Sequence, residues 1–558
     1  MFQLLQSPFV GVVLCITVLA YVGRWLATGY AIRRRIHGKP GPPHSMLWGH
    51  LKEMGDVAMA SPRRAHPHVY PHLLRKKFNL GSVFFVDVWP FGYDPFIAVM
   101  DPAVCQQVSD YNAKKHHSMQ SFLIPLLGRD DMVSTNGELW KRWRTMFNPG
   151  FSTQHLMTLV PGIVDDVLVY VDKLNEHVEK GDVFRLEEET TRLTIDVIGK
   201  VVLDLHFNMQ RGDDPCIEAL REQVHLLPNE GTQNPFETWH PWGIYRRWRN
   251  DKLMNDYIGK VLDDRFASKG STAVKTERKR TVIDLALWNY ASGKEDVTEL
   301  TNDTTTPKMD SAFKQGAITQ IRAFLFAGHD TTSSTMCYVF HLLKKHPTVH
   351  ATLCAEHEAI LGPVESTADV IKSQPHLLNK LEYTLAVLKE TLRLFPAASG
   401  VRQGEKDLNL HLPTGETFNT EGYMVWLLHY GLGHNEEVWG PTVNDFDPSR
   451  FLPSNAHKIP EGAWRPFEQG PRNCLGQNLA LLESRVIMAL VCRRFDFDLA
   501  LDGIGEVMGD GSFYARNGSF RRGPQSVEGE ELYQILVGAA KPREGMPVRV
   551  KRLDGKVG

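Results

Sequence analysis

From Phe9 to Ile32 the chain runs through 24 residues with a single charged side chain, Arg24. FVGVVLCITVLAYVG carries none, and WLATGYAI resumes the apolar run after the arginine. A helix of that length spans a bilayer core of roughly 30 Å, with Arg24 snorkelling toward an interface. Arg33, Arg34 and Arg35 follow at once, and no charged residue precedes Phe9. The positive-inside tendency then puts the bulk of the chain in the cytoplasm. A cleaved signal peptide is the competing reading, but the basic n-region is missing, the run is too long and the arginines lie on the far side. The expected organisation is an anchor over 1–32, a basic, proline-rich hinge over 33–44 (ending in KPGPPH) and a globular body over 45–558.

The body is expected to be α+β and mostly helical. SVFFVDVWPFGYDPFIAVM (82–100) reads as a hairpin, two β-branched and aromatic runs around a Pro/Gly turn. Apolar spacing of three and four predicts helices over 155–180, 186–206, 250–268, 313–346 and 379–395. Residues 299–310 read as an exposed loop, and 396–470 as irregular apart from short strands such as YMVWLLHY. Lys+Arg 63 against Asp+Glu 65 gives no sign of a nucleic-acid partner. The seven cysteines are scattered and never form a CxxC pair, which fits a reducing compartment and argues against a zinc cluster. Prolines interrupt His66, His68 and His72 in HPHVYPH and spoil their spacing as ligands. The sequons at Asn302 and Asn517 read as chance in a cytoplasmic body.

One cysteine stands apart. In FEQGPRNCLGQNLALLESRV, Cys474 precedes a helical apolar repeat at 475, 479, 482, 486 and 490. A helix N-terminus there lowers a thiol's pKa. Gly470 and Gly476 let a large flat group approach the backbone, and Arg472 is placed to meet an anionic substituent. Alone, this stretch permits a nucleophile, a redox thiol or plain core packing.

Phe467-x-x-Gly470-x-Arg472-x-Cys474-x-Gly476 closely resembles the haem-binding loop of the cytochrome P450 family. Three further stretches support the resemblance. AGHDTT (327–332) lies mid-helix between apolar runs, where a buried acid and alcohol need partners or a task. Glu390 and Arg393, i and i+3, would otherwise be a surface pair; with Arg450 of DPSRF they match the family's buried structural network. Trp140 and Arg144 share a helix face in GELWKRWR.

The resemblance covers nearly the whole chain and implies a P450 fold with one N-terminal transmembrane helix. It makes Cys474 the axial ligand of haem b (iron protoporphyrin IX), within a cradle that includes Phe467 and Gly476. Trp140, Arg144 and Arg472 would meet propionates, with Arg402 the weaker candidate for the second. Ala327 and Gly328 would leave room for O2, and Asp330 and Thr331 would deliver protons. The implied activity is monooxygenation of a hydrophobic small molecule by a monomer in the endoplasmic reticulum membrane. No dinucleotide fingerprint or reductase-sized segment is visible, so electrons are expected from NADPH through a separate NADPH–cytochrome P450 reductase. Exposed Lys141 and Arg142 are placed to help dock it.

The wording around these motifs resembles P450s of fungal secondary metabolism, nearest the versicolorin-oxidising group, which makes a polyketide the first expected substrate. Fatty-acid, alkane or terpenoid hydroxylation competes with it. A P450-fold isomerase or dehydratase, or a haem protein without turnover, fits less well with an intact acid–alcohol pair. Substrate contacts are expected within 105–135 and 205–250; the aromatic run at 236–248 fits an access route, a membrane contact or plain packing.

Overall fold

The computed structural model describes residues 8–62, 64–91, 94–227, 240–269, 281–292, 309–501 and 525–553. Asn302, Asn517 and the loop over 299–308 lie outside them.

The N-terminal helix spans Pro8–Ile36, and its stretch Val12–Ile36 is long and apolar enough to cross a membrane. At 1.5 Å per residue the helix is roughly 43 Å long, more than a bilayer core requires. The excess carries Arg33, Arg34 and Arg35, so the helix runs past the expected boundary at 32. It also docks. Trp25 packs on Trp89 with ring centroids 4.4 Å apart, and Arg33 lies 3.8 Å from the buried Asp87 carboxylate. Arg33 and Arg35 donate to the carbonyls of Met46 and Gly422 at 3.2 and 3.3 Å. Nor do residues 37–44 hang free: the Pro40 carbonyl accepts from Phe85 N–H at 2.8 Å, and the Pro42 carbonyl lies 3.0 Å from His50 Nε2.

The expected hairpin is present as Val83–Val86 against Phe96–Val99, in antiparallel register from Val83 with Val99 to Val86 with Phe96. Met424–Leu427 adds in parallel to Phe96–Val99, and Gly400–Gln403 closes the sheet antiparallel to it. Helices form the rest of the core. Thr153–Lys180, Leu186–Leu203, Ser311–Lys345 and Glu382–Leu394 fall close to the expected spans. Pro241–Lys269 begins earlier than the pattern at 250 implied and exposes Trp242, Tyr245 and Trp248. Asp310 caps the 35-residue helix Ser311–Lys345 by accepting from Phe313 N–H at 3.1 Å. That helix is buried nearly throughout, as its apolar flanks require. His66, His68 and His72 serve packing: His68 stacks on Tyr430 at 4.9 Å, and His72 meets the Glu528 carboxylate at 3.0 Å.

Glu390 and Arg393 are buried on one helix and pair at 2.7 Å through two nitrogens. Arg393 Nη1 also donates to the Gly433 and Val443 carbonyls at 2.5 and 2.7 Å. Arg450 completes the network, its Nε 3.4 Å from Glu390, and Asp447 N–H donates to the same carboxylate at 3.1 Å. One buried acid therefore holds the chain from 433 to 450 against the helix core. Glu390→Gln leaves two guanidiniums without their anion and is expected to lower stability by about 3–5 kcal/mol. A shift of the urea midpoint reads it out; an unchanged midpoint contradicts the assignment.

Candidate active site

Cys474 lies three residues before the helix Gln477–Val491. Its loop reverses through Gly470, whose φ of +73° suits a residue without Cβ, and Cys474 N–H donates to the Phe467 carbonyl at 2.7 Å. The thiol is exposed to a cavity of about 340 Å³. Burial raises its pKa, opposed by the Gly476 and Gln477 N–H groups and by the charges of Arg144 and Lys115. The net direction is upward, against the sequence expectation: desolvation outweighs the helix end.

Ala327, Gly328 and Thr331 of the long helix line the same cavity, and Ile198, Phe324, Leu392, Phe467 and Leu479 make it largely apolar. Thr331 Oγ1 donates to the Ala327 carbonyl at 2.9 Å, which puts the two on one face. Gly328 has a role the sequence did not reveal. A Cβ there would lie 2.7 Å from Ile198, so the glycine also lets two helices pack closely.

Cations crowd the rim. Arg144 donates to Asn473 twice, at 2.7 Å to its carbonyl and 2.5 Å to its side chain. Arg472 donates to the Thr135 carbonyl and to Asn136 Oδ1, both at 2.8 Å, and lies 4.0 Å over the Trp140 ring. Burial and the charges of Arg402 and Arg144 lower its pKa to about 10, and its Nε is buried without a hydrogen-bond partner among the described residues. Lys115 was not foreseen. It lines the cavity, and burial together with the Arg402 charge pushes its ammonium well below the usual lysine range. Its only sequence signal was position, inside the segment 105–135 expected to shape the pocket.

Arg402 is committed elsewhere. It donates to Glu468 at 2.7 Å, and Glu468 also takes Arg465 at 3.0 Å and His429 at 3.4 Å. Burial pushes Glu468 up, but the His429 hydrogen bond and the charges of His429, Arg402 and Arg465 carry it well below the ordinary carboxylate range. Arg402 is therefore matched by a protein anion, whereas among the described residues Arg144, Arg472 and Lys115, which line the cavity, form no ion pair.

Asp330 turns away from Thr331. Its Oδ2 accepts from Ala539 N–H at 2.8 Å, and its Oδ1 forms an ion pair with Lys541 Nζ at 2.6 Å. It lines a second, charged cavity of about 1120 Å³ with Glu187, Arg221, His225 and Lys541. Lys541 also reaches Glu187 at 2.7 Å. Consecutive residues on a helix point about 100° apart, so one acid–alcohol pair addresses two compartments. Of the segments expected to touch substrate, 105–135 supplies Lys115, Met119, Met132 and Val133 to the thiol cavity. The described part of 205–250 lines only the charged one, of these two cavities.

The cytochrome P450 family profile matches residues 40–510. Cytochrome P450 monooxygenase polC of Polytolypa hystricis is 34% identical over 97% of this chain and 95% of its own length. Cytochrome P450 monooxygenase acrF of Aspergillus aculeatus is 34% identical over 88% of this chain and 99% of its own. The crystal structure of the cytochrome P450DA heme domain superposes with a TM-score of 0.67 at 20% identity, covering 93% of this chain and 98% of that one, a likeness of fold. Haem is the cofactor such a family implies, and the cavity fits it: apolar walls, a thiol on one side, and a surplus of rim cations for two carboxylates. Arg472→Ala and Lys115→Met are each expected to speed haem loss about tenfold, the weight of a charge-assisted contact. Transfer of haem to an apo-globin measures it, and wild-type rates in both variants would count against these assignments.

Proposed function

The chain belongs to the cytochrome P450 family as a monooxygenase, and from that premise we propose that it is an anchored haem-thiolate enzyme oxidising an aromatic, polyketide-type metabolite of fungal secondary metabolism. The observation that carries the reading is a single cavity with the Cys474 thiol on one wall and the Thr331 hydroxyl on another. Bound haem supplies oxygen activation and insertion into a C–H bond. Cys474 holds the iron as thiolate and strengthens its electron donation. Arg144, Arg472 and Lys115 hold the carboxylates, with Trp140 packed beneath the Arg472 guanidinium. Arg402 supports the rim through Glu468.

Thr331 presents a hydroxyl to the thiol cavity, and Asp330 would relay to it a proton taken up from water in the charged cavity. To do so the carboxylate must leave Ala539 N–H and Lys541, so proton delivery passes from the charged cavity across the helix. The apolar walls suit a hydrophobic substrate, and the two fungal relatives support the biosynthetic setting. Electrons come from NADPH–cytochrome P450 reductase in the endoplasmic reticulum membrane, with Lys141 and Arg142 among the exposed cations available to an acidic donor. The long apolar helix supports that location.

Full-length protein reconstituted with the reductase, offered aromatic polyketides, fatty acids and terpenoids with NADPH, is expected to oxygenate the polyketides. Oxidation of only the other two classes sinks the substrate assignment. Cys474→Ser is expected to lose the spectrum of a thiolate-ligated, reduced, CO-bound haem; its persistence would overturn the ligand assignment. Thr331→Ala is expected to keep consuming NADPH while product per NADPH drops at least about tenfold, and unchanged coupling would remove Thr331 from the proton path.

A further inference from the structure

Outside both cavities, the first turn of the helix His117–Leu127 meets the turn between the two strands of the N-terminal hairpin. Here Asp94, His116 and His117 converge. Asp94 Oδ2 lies 3.1 Å from His116 Nε2 and 3.9 Å from His117 Nδ1, and the three ligand atoms all fall within 4.8 Å of one another. The two imidazoles stand side by side, ring centroids 4.1 Å apart.

These are the donors zinc takes. With Zn–N and Zn–O bonds of about 2.0–2.2 Å, a tetrahedral site separates its ligands by about 3.4 Å, which the two short distances bracket. We propose that Asp94 Oδ2, His116 Nε2 and His117 Nδ1 form a zinc site, with a water as fourth ligand on the open His117 side. No ion is present there. His116 is fully buried, Asp94 half-buried and His117 exposed, so the ion sits at the surface against one rigid ligand.

The surroundings supply the second layer such a site requires. His116 Nδ1 lies 2.8 Å from Ser118 Oγ. As the cap of the helix, His116 Nδ1 accepts from Ser118 N–H at 3.2 Å, so without an ion Nε2 carries the proton that Asp94 accepts; zinc would take that proton's place, and Nδ1–H would then donate to Ser118 Oγ. Ser118 Oγ in turn lies 3.9 Å from Met424 Sδ on the central sheet. Arg35, whose charge also acts on Asp94, opposes a cation, but its Nη1 is turned to the Gly422 carbonyl at 3.3 Å.

The position gives the site a purpose. Lys115 bridges to Arg402 and lines the thiol cavity, and Met119 lines it one turn on. An ion bound outside His116 and His117 would staple the hairpin turn to the segment whose inner side walls that cavity.

The test uses full-length, haem-loaded protein in detergent, dialysed to equilibrium against micromolar zinc, with zinc and iron counted by mass spectrometry. Wild type is expected to hold one zinc per iron more than His117→Ala or Asp94→Asn, and each variant to bind at least about tenfold more weakly. Both changes fall on solvent-accessible side chains, and counting per iron restricts the comparison to folded molecules. Equal zinc in wild type and variants, or none retained by wild type, overturns the site.

Discussion

The carboxylate of Glu390 is the point on which the catalytic half of the molecule rests. It is buried, and two guanidiniums, Arg393 and Arg450, reach it from opposite ends of a long excursion of the chain. Removing one partner of such a cluster leaves a charge that the interior cannot solvate. Between the arginines the chain adds the strands Gly400–Gln403 and Met424–Leu427 to the sheet, and beyond them Arg393 grips the 433 and 443 carbonyls. The thiol loop begins only after this stretch has been pinned. A soft contact at Glu390 would therefore be felt as a misplaced sulfur.

Charge is distributed with equal economy around the cavity. Glu468 joins Arg402, Arg465 and His429 within the protein and builds a rigid floor to the rim. Arg144, Arg472 and Lys115 keep their surplus directed inward, where mutual repulsion and burial raise the protein's free energy until an anion arrives. The same folded chain that tolerates those cations therefore favours a dicarboxylate group over a neutral one. On the far side of the long helix, Lys541 does the converse and binds two acids, Glu187 and Asp330, into one ion triplet.

Much of this could be read from residue order. The Cys474 loop, the Glu390–Arg393 spacing, the Trp140–Arg144 face and the buried character of Ser311–Lys345 are local patterns, and local patterns survive in sequence. What failed to show was partnership across distance. Asp330 and Lys541 are 211 positions apart in the chain, and nothing near either announces the other. Glu468 occupies a variable place in its motif, so its hold on Arg402 was invisible, and Lys115 looked like any surface lysine. The Cys474 pKa went the wrong way for a related reason: a helix end is legible, but the depth of burial around it is not. The docking of Arg33 was hidden too, because the three arginines read as a stop, whereas one of them is buried against Asp87.

That docked arginine bears on how the enzyme meets its surroundings. A helix long and apolar enough to cross a bilayer, running straight into a salt bridge, a tryptophan stack and two carbonyl contacts, is coupled in direction to the body it carries. The catalytic body is then less a ball on a string than a head on a neck. With that helix in a bilayer, the body's angle to the lipid surface would be inherited from it, and apolar molecules dissolved in the membrane would meet the same face every time.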